Sequence, residues 1–274
     1  MLSSYSINED CKPELIEYIL WRRNMNKIPE LSVFFPAYNE EKNIEKTVKD
    51  ALIVLEKIAL KYEIIIIDDG SSDKTDSISD KLAKENKGVW VIHHHPNQGY
   101  GAALKSGFYN AKYNLIATTD SDGQFDFREI TKLLAKTSQA DVVIGYRLNR
   151  QDSLMRKING QVWTMLNNLL FSIKVRDVDC AFKLIKKKVI ETIPKLESTR
   201  GGMISPELLA KAQKAGFKID QVAVHHYPRH EGKQTGANIK VIIKSFVDLF
   251  KLWQKLNFEW KKSIRIYQFW LFFY

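Results

Sequence analysis

Apolar runs alternate with amphipathic stripes through most of this chain, and the alternation predicts its architecture. Leu31-Ser32-Val33-Phe34-Phe35 predicts a strand that Pro36 stops. Ile44, Val48, Ala51, Leu52, Leu55 and Ile58 then recur at helical spacing. Glu63–Ile67 is apolar almost throughout, as a strand covered on both faces should be. Ile78, Leu82 and Ala83 mark the next helix. Val89–Ile92 and Ala102–Ala111 repeat the pair, and Asn114-Leu115-Ile116-Ala117-Thr118 predicts a fourth strand. Further strands are expected at Ala140–Arg147 and Ile219–Val224. Strand, turn and helix in alternation imply right-handed crossovers, hence an α/β fold with a mostly parallel sheet flanked by helices.

Local signals refine the element ends. Asn39 suits an N-cap, with Glu40 and Glu41 at the positive end of the helix dipole. Ser72 or Asp73 can cap the second helix. Ser205 and Pro206 predict an N-cap and first helical position, with Gly216 closing that helix. Residues 1–30 read as an N-terminal extension, 31–236 as the main domain and 237–274 as an amphipathic tail. In that tail Ile242, Phe246, Leu249, Trp253 and Leu256 share a helical stripe, with Lys244, Lys251 and Lys255 elsewhere. The pattern suits a membrane interface, and packing on the chain's own domain explains it nearly as well.

Composition narrows the class. With 274 residues, 45% hydrophobic and 27% charged, the chain is globular and can bury a full core. A formal net charge of +10 implies anionic partners. Cys11 and Cys180 form neither a disulfide framework nor a metal-ligand spacing. Met1–Arg23 carries four acidic residues and no continuous apolar core, so it is not read as a signal peptide. No run reaches the ~18–20 apolar residues of a spanning helix. The expected location is cytoplasmic, peripheral on the cytoplasmic face of a membrane.

The candidate chemistry lies at the strand ends. Thr119-Asp120-Ser121-Asp122-Gly123-Gln124 follows the fourth strand, and carboxylates two residues apart at a strand end can point the same way. Such a pair suits Mg²⁺ or Mn²⁺, and the Gln124 carbonyl could add a ligand. Taken alone, Asp-Ser-Asp-Gly is an ordinary polar turn. However, Pro36–Asn39, Asp68–Asp73, Asn97–Gly101 and Asp120–Gln124 all end predicted strands, so they converge on one crevice.

Four segments carry a resemblance to the GT-A-fold glycosyltransferases of family 2. They are Phe35–Glu41, Ile67–Thr75, Asn97–Ala103 and Asp120–Gln124, and the similarity spans about residues 30 to 235. Within that family the chain most resembles the polyprenyl-phosphate, dolichol-phosphate mannosyltransferase-like branch. The resemblance implies a Rossmann-like GT-A sheet and inverting transfer of a sugar from a UDP- or GDP-linked donor to a lipid phosphate. It implies that Pro36, Tyr38, Asn39, Glu40 and Asp68 or Asp69 line the donor nucleoside pocket. Asp120, Asp122 and Gln124 would hold the metal on the donor diphosphate.

By the same resemblance Arg147 and Arg156 would meet the acceptor phosphate, which a guanidinium fork can bind bidentately. Val178–Lys183 resembles a family segment in which glycine often precedes the aromatic residue. Ala181 departs from it, so Asp179 is given no site role, and Cys180 is expected to pack. His225–Gly236 matches the family's loop of aromatic, two residues, Arg, two residues, Gly, which makes Arg229 and Lys233 phosphate contacts of a closing lid. The histidines His93, His94 and His95 are expected to be solvated or packed. Hydroxyl-directed relatives carry a Glu-Asp pair where this chain has Glu207-Leu208. A phosphate monoester is already anionic and needs no base, so the missing Asp favours a phosphate acceptor. The competing expectations are a transferase acting on a sugar hydroxyl and a non-enzymatic nucleotide-sugar-binding protein. Nucleic acid is not expected, because the basic residues lie beside carboxylate motifs that repel a phosphate backbone.

Overall fold

A computed structural model describes residues 27–148, 154–199, 201–229 and 245–258. Its elements in chain order are β1 (Ile28–Ala37), α1 (Ile44–Ile58), β2 (Ala59–Asp68), α2 (Thr75–Glu85), β3 (Val89–His93) and α3 (Tyr100–Asn110). There follow β4 (Leu115–Thr118), α4 (Ile130–Leu134), β5 (Val142–Leu148), α5 (Leu154–Phe171), β6 (Lys183–Lys186), α6 (Lys187–Thr192), α7 (Ile204–Lys214) and β7 (Ile219–His225). A last helix, α8, covers 245–258. The strands form a seven-stranded sheet in the order β3-β2-β1-β4-β6-β5-β7. β6 runs antiparallel to both neighbours, while the other pairs are parallel.

The expected α/β fold is present, with boundary corrections. β1 begins at Ile28 and continues through Pro36 to Ala37, paired with β2 throughout. A proline is tolerated there because neighbouring residues of a strand bond to opposite sides. Ala37 faces β2, where its carbonyl accepts from Asp69 N at 2.9 Å. Pro36 therefore faces β4, whose pairing with β1 has ended at Phe34 and Thr118, so no ladder bond is lost. β6 has no counterpart in the sequence reading, since Lys183-Leu184-Ile185-Lys186 is short and ends in lysines. α1 begins at Ile44, not after Asn39, and α7 begins at Ile204 behind a 3₁₀ turn, so neither Asn39 nor Ser205 is an N-cap.

Burial on both sheet faces sets the core. Ile64, Ile65, Ile66 and Ile67 are all fully buried, as are Leu31, Val33, Phe34 and Phe35. The α1 stripe read from sequence is the buried face of that helix. α3 lies so close to β1 that a Cβ on Gly107 would stand 2.2 Å from the Phe34 ring. Phe108 meets the same ring edge-on at 4.9 Å. At the opposite, amino-terminal edge, buried Glu63 ties strands to loops: it accepts from Ser32 Oγ at 2.6 Å, Lys112 N at 2.6 Å and Trp90 Nε1 at 3.0 Å.

α8 also joins this core. Leu249 and Leu256 are buried and Phe246, Leu252 and Trp253 pack against them. The tail stripe therefore faces the domain, the second of its two readings. Lys214 Nζ holds the end of α8 through Leu256 O at 2.6 Å and Asn257 Oδ1 at 3.0 Å. Ile242 and residues 1–26 lie outside the described residues.

Gly107→Ala should lower stability by about 1–3 kcal/mol, because overpacking on Phe34 outweighs the roughly 0.5–1 kcal/mol that alanine gains over glycine in a helix. Urea unfolding measures this; a raised midpoint would contradict the close α3–β1 packing.

Candidate active site

The sheet order reverses direction between β1 and β4. From β1 the chain builds outward through β2 to β3, whereas β4 lies on the other side. In open parallel sheets this switch leaves a crevice at the carboxyl ends of the strands. The loops after β1, β2, β3 and β4 meet there. The Ser121 hydroxyl donates to Pro36 O at 2.7 Å, closing the base of the crevice between β1 and β4.

The loops after β1 and β2 are cross-linked by polar groups. Asn39 has φ +56°, a left-handed conformation that asparagine tolerates better than most residues. Its Oδ1 accepts from Ser72 N at 2.7 Å, and its N–H donates to Ser71 Oγ at 3.0 Å. Glu41 N donates to Asp73 Oδ2 at 3.1 Å, and Lys74 N returns a bond to Glu41 Oε2 at 3.1 Å. Asp73 also accepts from Thr75 N at 3.0 Å, while the N-cap position of α2 is Lys74, so neither Ser72 nor Asp73 is its N-cap. Tyr38 is half-exposed.

The two carboxylates after β2 are held by histidines. His93 Nδ1 lies 2.9 Å from Asp68 Oδ2, and His94 Nδ1 lies 2.7 Å from Asp69 Oδ1. His93 Nε2 reaches Asp80 at 3.1 Å and His94 Nε2 reaches Ser106 Oγ at 2.8 Å. Burial opposes the charged form of His93, yet its two carboxylate partners raise its pKa. Asp69 further accepts from Gln98 N at 3.0 Å and Gly99 N at 2.8 Å. Its carboxylate is therefore committed to shaping the turn ahead of α3, and Asp68, which also accepts from Ser71 N at 3.1 Å, is similarly anchored. The sequence reading placed these histidines as packed or solvated but missed their partners. The signal lies in the register: parallel pairing sets His93 opposite Asp68.

Asp120 and Asp122 stand at the end of β4, Asp122 buried and Asp120 partly so. Burial raises both carboxyls first of all, and the charge of Asp122 lifts Asp120 further, to about 6. Tyr100 OH donates to Asp120 Oδ1 at 2.9 Å. Gln124 N donates to Asp122 Oδ1 at 3.0 Å. Arg229 lies between Glu40, with which it makes a close ion pair, and Asp122 Oδ2 at 3.7 Å. Gln124 is pinned to the chain after β7, its carbonyl accepting from Tyr227 N at 2.9 Å and its side-chain amide donating to Tyr227 O at 3.0 Å.

These residues fit a divalent cation. Two desolvated carboxylates are unfavourable together without positive charge, and the buried Thr119 Oγ1 beside them has no protein partner among the described residues. No group of three His, Cys, Asp or Glu converges among the described residues. Any ion bound here would therefore draw its protein donors from this carboxylate pair and neighbouring oxygens.

On the β5 side the crevice is walled by a second charged cluster. Arg147 is nearly buried, with Nε 2.6 Å from Asp177 Oδ2 and Nη2 2.8 Å from Asp177 Oδ1. The fork expected to receive a phosphate is thus taken by Asp177, because a buried guanidinium requires a partner. Asp179, given no role from sequence, is buried beside this pair; burial and the Asp177 charge raise its carboxyl to about 6, and it accepts from Trp163 Nε1 at 3.1 Å. Lys183 is buried below, donating to Cys180 O and to Ser205 Oγ at 3.0 Å. Burial pushes the Cys180 thiol up to about 12, so it packs as an inert group. Arg156 lies in the first turn of α5, half-buried. Lys233 lies outside the described residues. Glu207 is buried and accepts from Glu197 N and Ser198 N, each at 2.8 Å, and from Lys211 Nζ at 2.7 Å. It anchors the 197–199 loop.

Known proteins are similar to this chain. A sequence profile described as glycosyl transferase family 2 matches residues 32–193. The chain is 30% identical over 239 residues to a dolichyl-phosphate beta-glucosyltransferase of Trichomonas vaginalis, covering 81% of this chain and 72% of that protein. It is also 30% identical over 217 residues to an undecaprenyl-phosphate 4-deoxy-4-formamido-L-arabinose transferase of Salmonella choleraesuis, covering 78% and 65% of the two chains. Glucosyl-3-phosphoglycerate synthase from Mycobacterium tuberculosis, solved with UDP, superposes with a TM-score of 0.64 at 15% identity, over 91% of this chain and 87% of that one. The same enzyme solved with Mn²⁺ and UDP-glucose gives 0.61 at 16% identity over 89% and 84%. These last two share the fold. The matched profile covers all four strand-end segments that build the crevice, and the chain belongs to glycosyl transferase family 2.

Proposed function

We propose that this chain transfers a sugar from a nucleotide-sugar donor, UDP- or GDP-linked, to a polyprenyl phosphate with inversion at the anomeric carbon. The observation that carries the proposal is the carboxylate pair Asp120 and Asp122 at the end of β4, set beside the buried Arg147–Asp177 cluster, while Glu207 is committed to structural bonds. Glu207, at the position where hydroxyl-directed relatives keep their acidic pair, is spent on two backbone amides and Lys211. A lipid phosphate needs no deprotonation to attack, so such a site suffices. The relatives named for dolichyl and undecaprenyl phosphates support this acceptor class.

Asp120, Asp122 and the free lone pair of the Gln124 carbonyl would hold Mg²⁺ or Mn²⁺, which would neutralise the leaving diphosphate. Tyr38 would stack on the base, while Pro36, Asn39, Asp68 and Asp69 set the wall behind it. Glu40 keeps Arg229 at the crevice, from which its guanidinium can turn to the diphosphate. Arg229 and Lys233 would close over that group and exclude water. Arg147 and Arg156 would orient the lipid phosphate in line with the bond that breaks. The enzyme would work at a membrane surface, on its cytoplasmic face. Among the described residues no helix is long and apolar enough to cross a membrane.

A labelled-donor assay with polyprenyl phosphate and with neutral glycans separates the acceptors. Label should enter the organic-extractable lipid; label confined to glycan hydroxyls would overturn the proposal. Metal binding should depend on pH. A proton must leave the carboxylate pair before the cation binds, and Asp120 titrates at about 6 without it. Mn²⁺ affinity should therefore rise through pH ~6 and level off above about 7. A flat profile by calorimetry would contradict the assigned carboxylates.

A further inference from the structure

The outer face of α5 is apolar and uncovered. Met155, Ile158, Val162, Met165 and Leu169 are 68%, 45%, 40%, 61% and 74% exposed. Their steps of three and four residues place them on one straight stripe roughly 21 Å long at 1.5 Å per residue. The opposite face of the helix, with Trp163, Thr164, Asn167 and Phe171, is buried in the domain. Burying apolar surface is favourable, so a continuous stripe of this kind marks a contact face.

The flanks of the stripe select its occupant. A helical partner on such a seam normally finds charged residues at the flanking positions, which set register and pairing. Here those positions are Asn159, Gln161, Leu166 and Asn168, neutral throughout. Cations stand instead at the ends and on the adjoining helix. Arg156 and Lys157 lie at the start of α5, and Lys251 shares the outer face of α8 with exposed Val247, Phe250 and Phe258, while Lys255 there pairs with Glu197 at 2.5 Å. The two helices touch through Trp163 and Phe246, ring centroids 5.5 Å apart. Apolar and aromatic side chains edged by Lys and Arg suit an anionic lipid surface.

We infer that the outer stripe of α5, extended by the outer face of α8, is the surface by which this protein lies on an anionic lipid bilayer. The inference rests on the lipid-acceptor reading above and adds the face that meets the lipid. It differs from the stripe that sequence periodicity singled out, whose Phe246, Leu249, Trp253 and Leu256 pack inward. The same α5 carries Trp163, whose indole bonds Asp179 at the acceptor wall. One helix thus has the acceptor wall on its inner side and the bilayer on its outer side, with Arg156 in its first turn.

Co-sedimentation with phosphatidylcholine–phosphatidylglycerol vesicles tests the surface in the full-length chain. The doubly substituted Met165→Glu, Leu169→Glu protein should bind them at least about tenfold more weakly, since two exposed apolar groups leave the interface. Lys81→Glu on α2 changes net charge equally and should bind nearly as the parent does. Unchanged binding of the double variant would overturn the inference. So would a parent dimer that the double variant dissociates in sedimentation equilibrium, because the stripe would then join two copies. Transfer to detergent-dispersed polyprenyl phosphate should be the same in parent and double variant. Its absence from both would reject the lipid-acceptor reading, whatever the vesicles show.

Discussion

The mutual repulsion of Asp120 and Asp122 is the constraint around which the site is built. A buried strand end is a poor place for two negative charges, and burial raises both carboxyls. The fold keeps them there by fixing the loop and by partial charge compensation, Lys183 and Arg147 acting on Asp120 and Arg229 on Asp122. Ser121 bonds Pro36, Gln124 bonds the chain beyond β7, and Tyr100 holds one oxygen of Asp120. Arg229 offers partial compensation and is itself shared with Glu40. A site with unmet negative charge and fixed geometry is prepared for a cation that arrives with its own phosphates.

The acceptor wall solves the opposite problem. Arg147 and Lys183 are buried positive charges, balanced by Asp177 and Asp179 and by the Cys180 carbonyl. Removing one partner from such a cluster leaves an uncompensated charge and is far more damaging than losing a surface ion pair.

What could be read from the chain follows from range. β1 through β4 were legible because strands buried on both faces are continuous apolar runs, and α1 because its stripe is regular. β6 was not, since its four residues begin and end with lysine, and the buried Lys183 amine bonds the Cys180 carbonyl and the distant Ser205 hydroxyl. Asn39 has the composition of a helix cap, yet its side chain serves Ser72, 33 residues away. The acidic motif was legible as a carboxylate pair at one strand end. The His94–Asp69 and Arg147–Asp177 pairs were not, because they depend on which strands lie side by side and on what the next loop brings over them.

The central claim is that the Asp120–Asp122 pair binds the donor diphosphate through a divalent cation. Calorimetric titration of UDP and GDP into the protein, with Mn²⁺ and with chelator, tests it most directly. The account predicts that one of these nucleotides binds with Mn²⁺, that chelator weakens it at least about 100-fold, and that Asp122→Asn mimics the chelator. Equal nucleotide affinity with and without metal, or an Asp122→Asn protein that still responds to Mn²⁺ as the parent does, would contradict it.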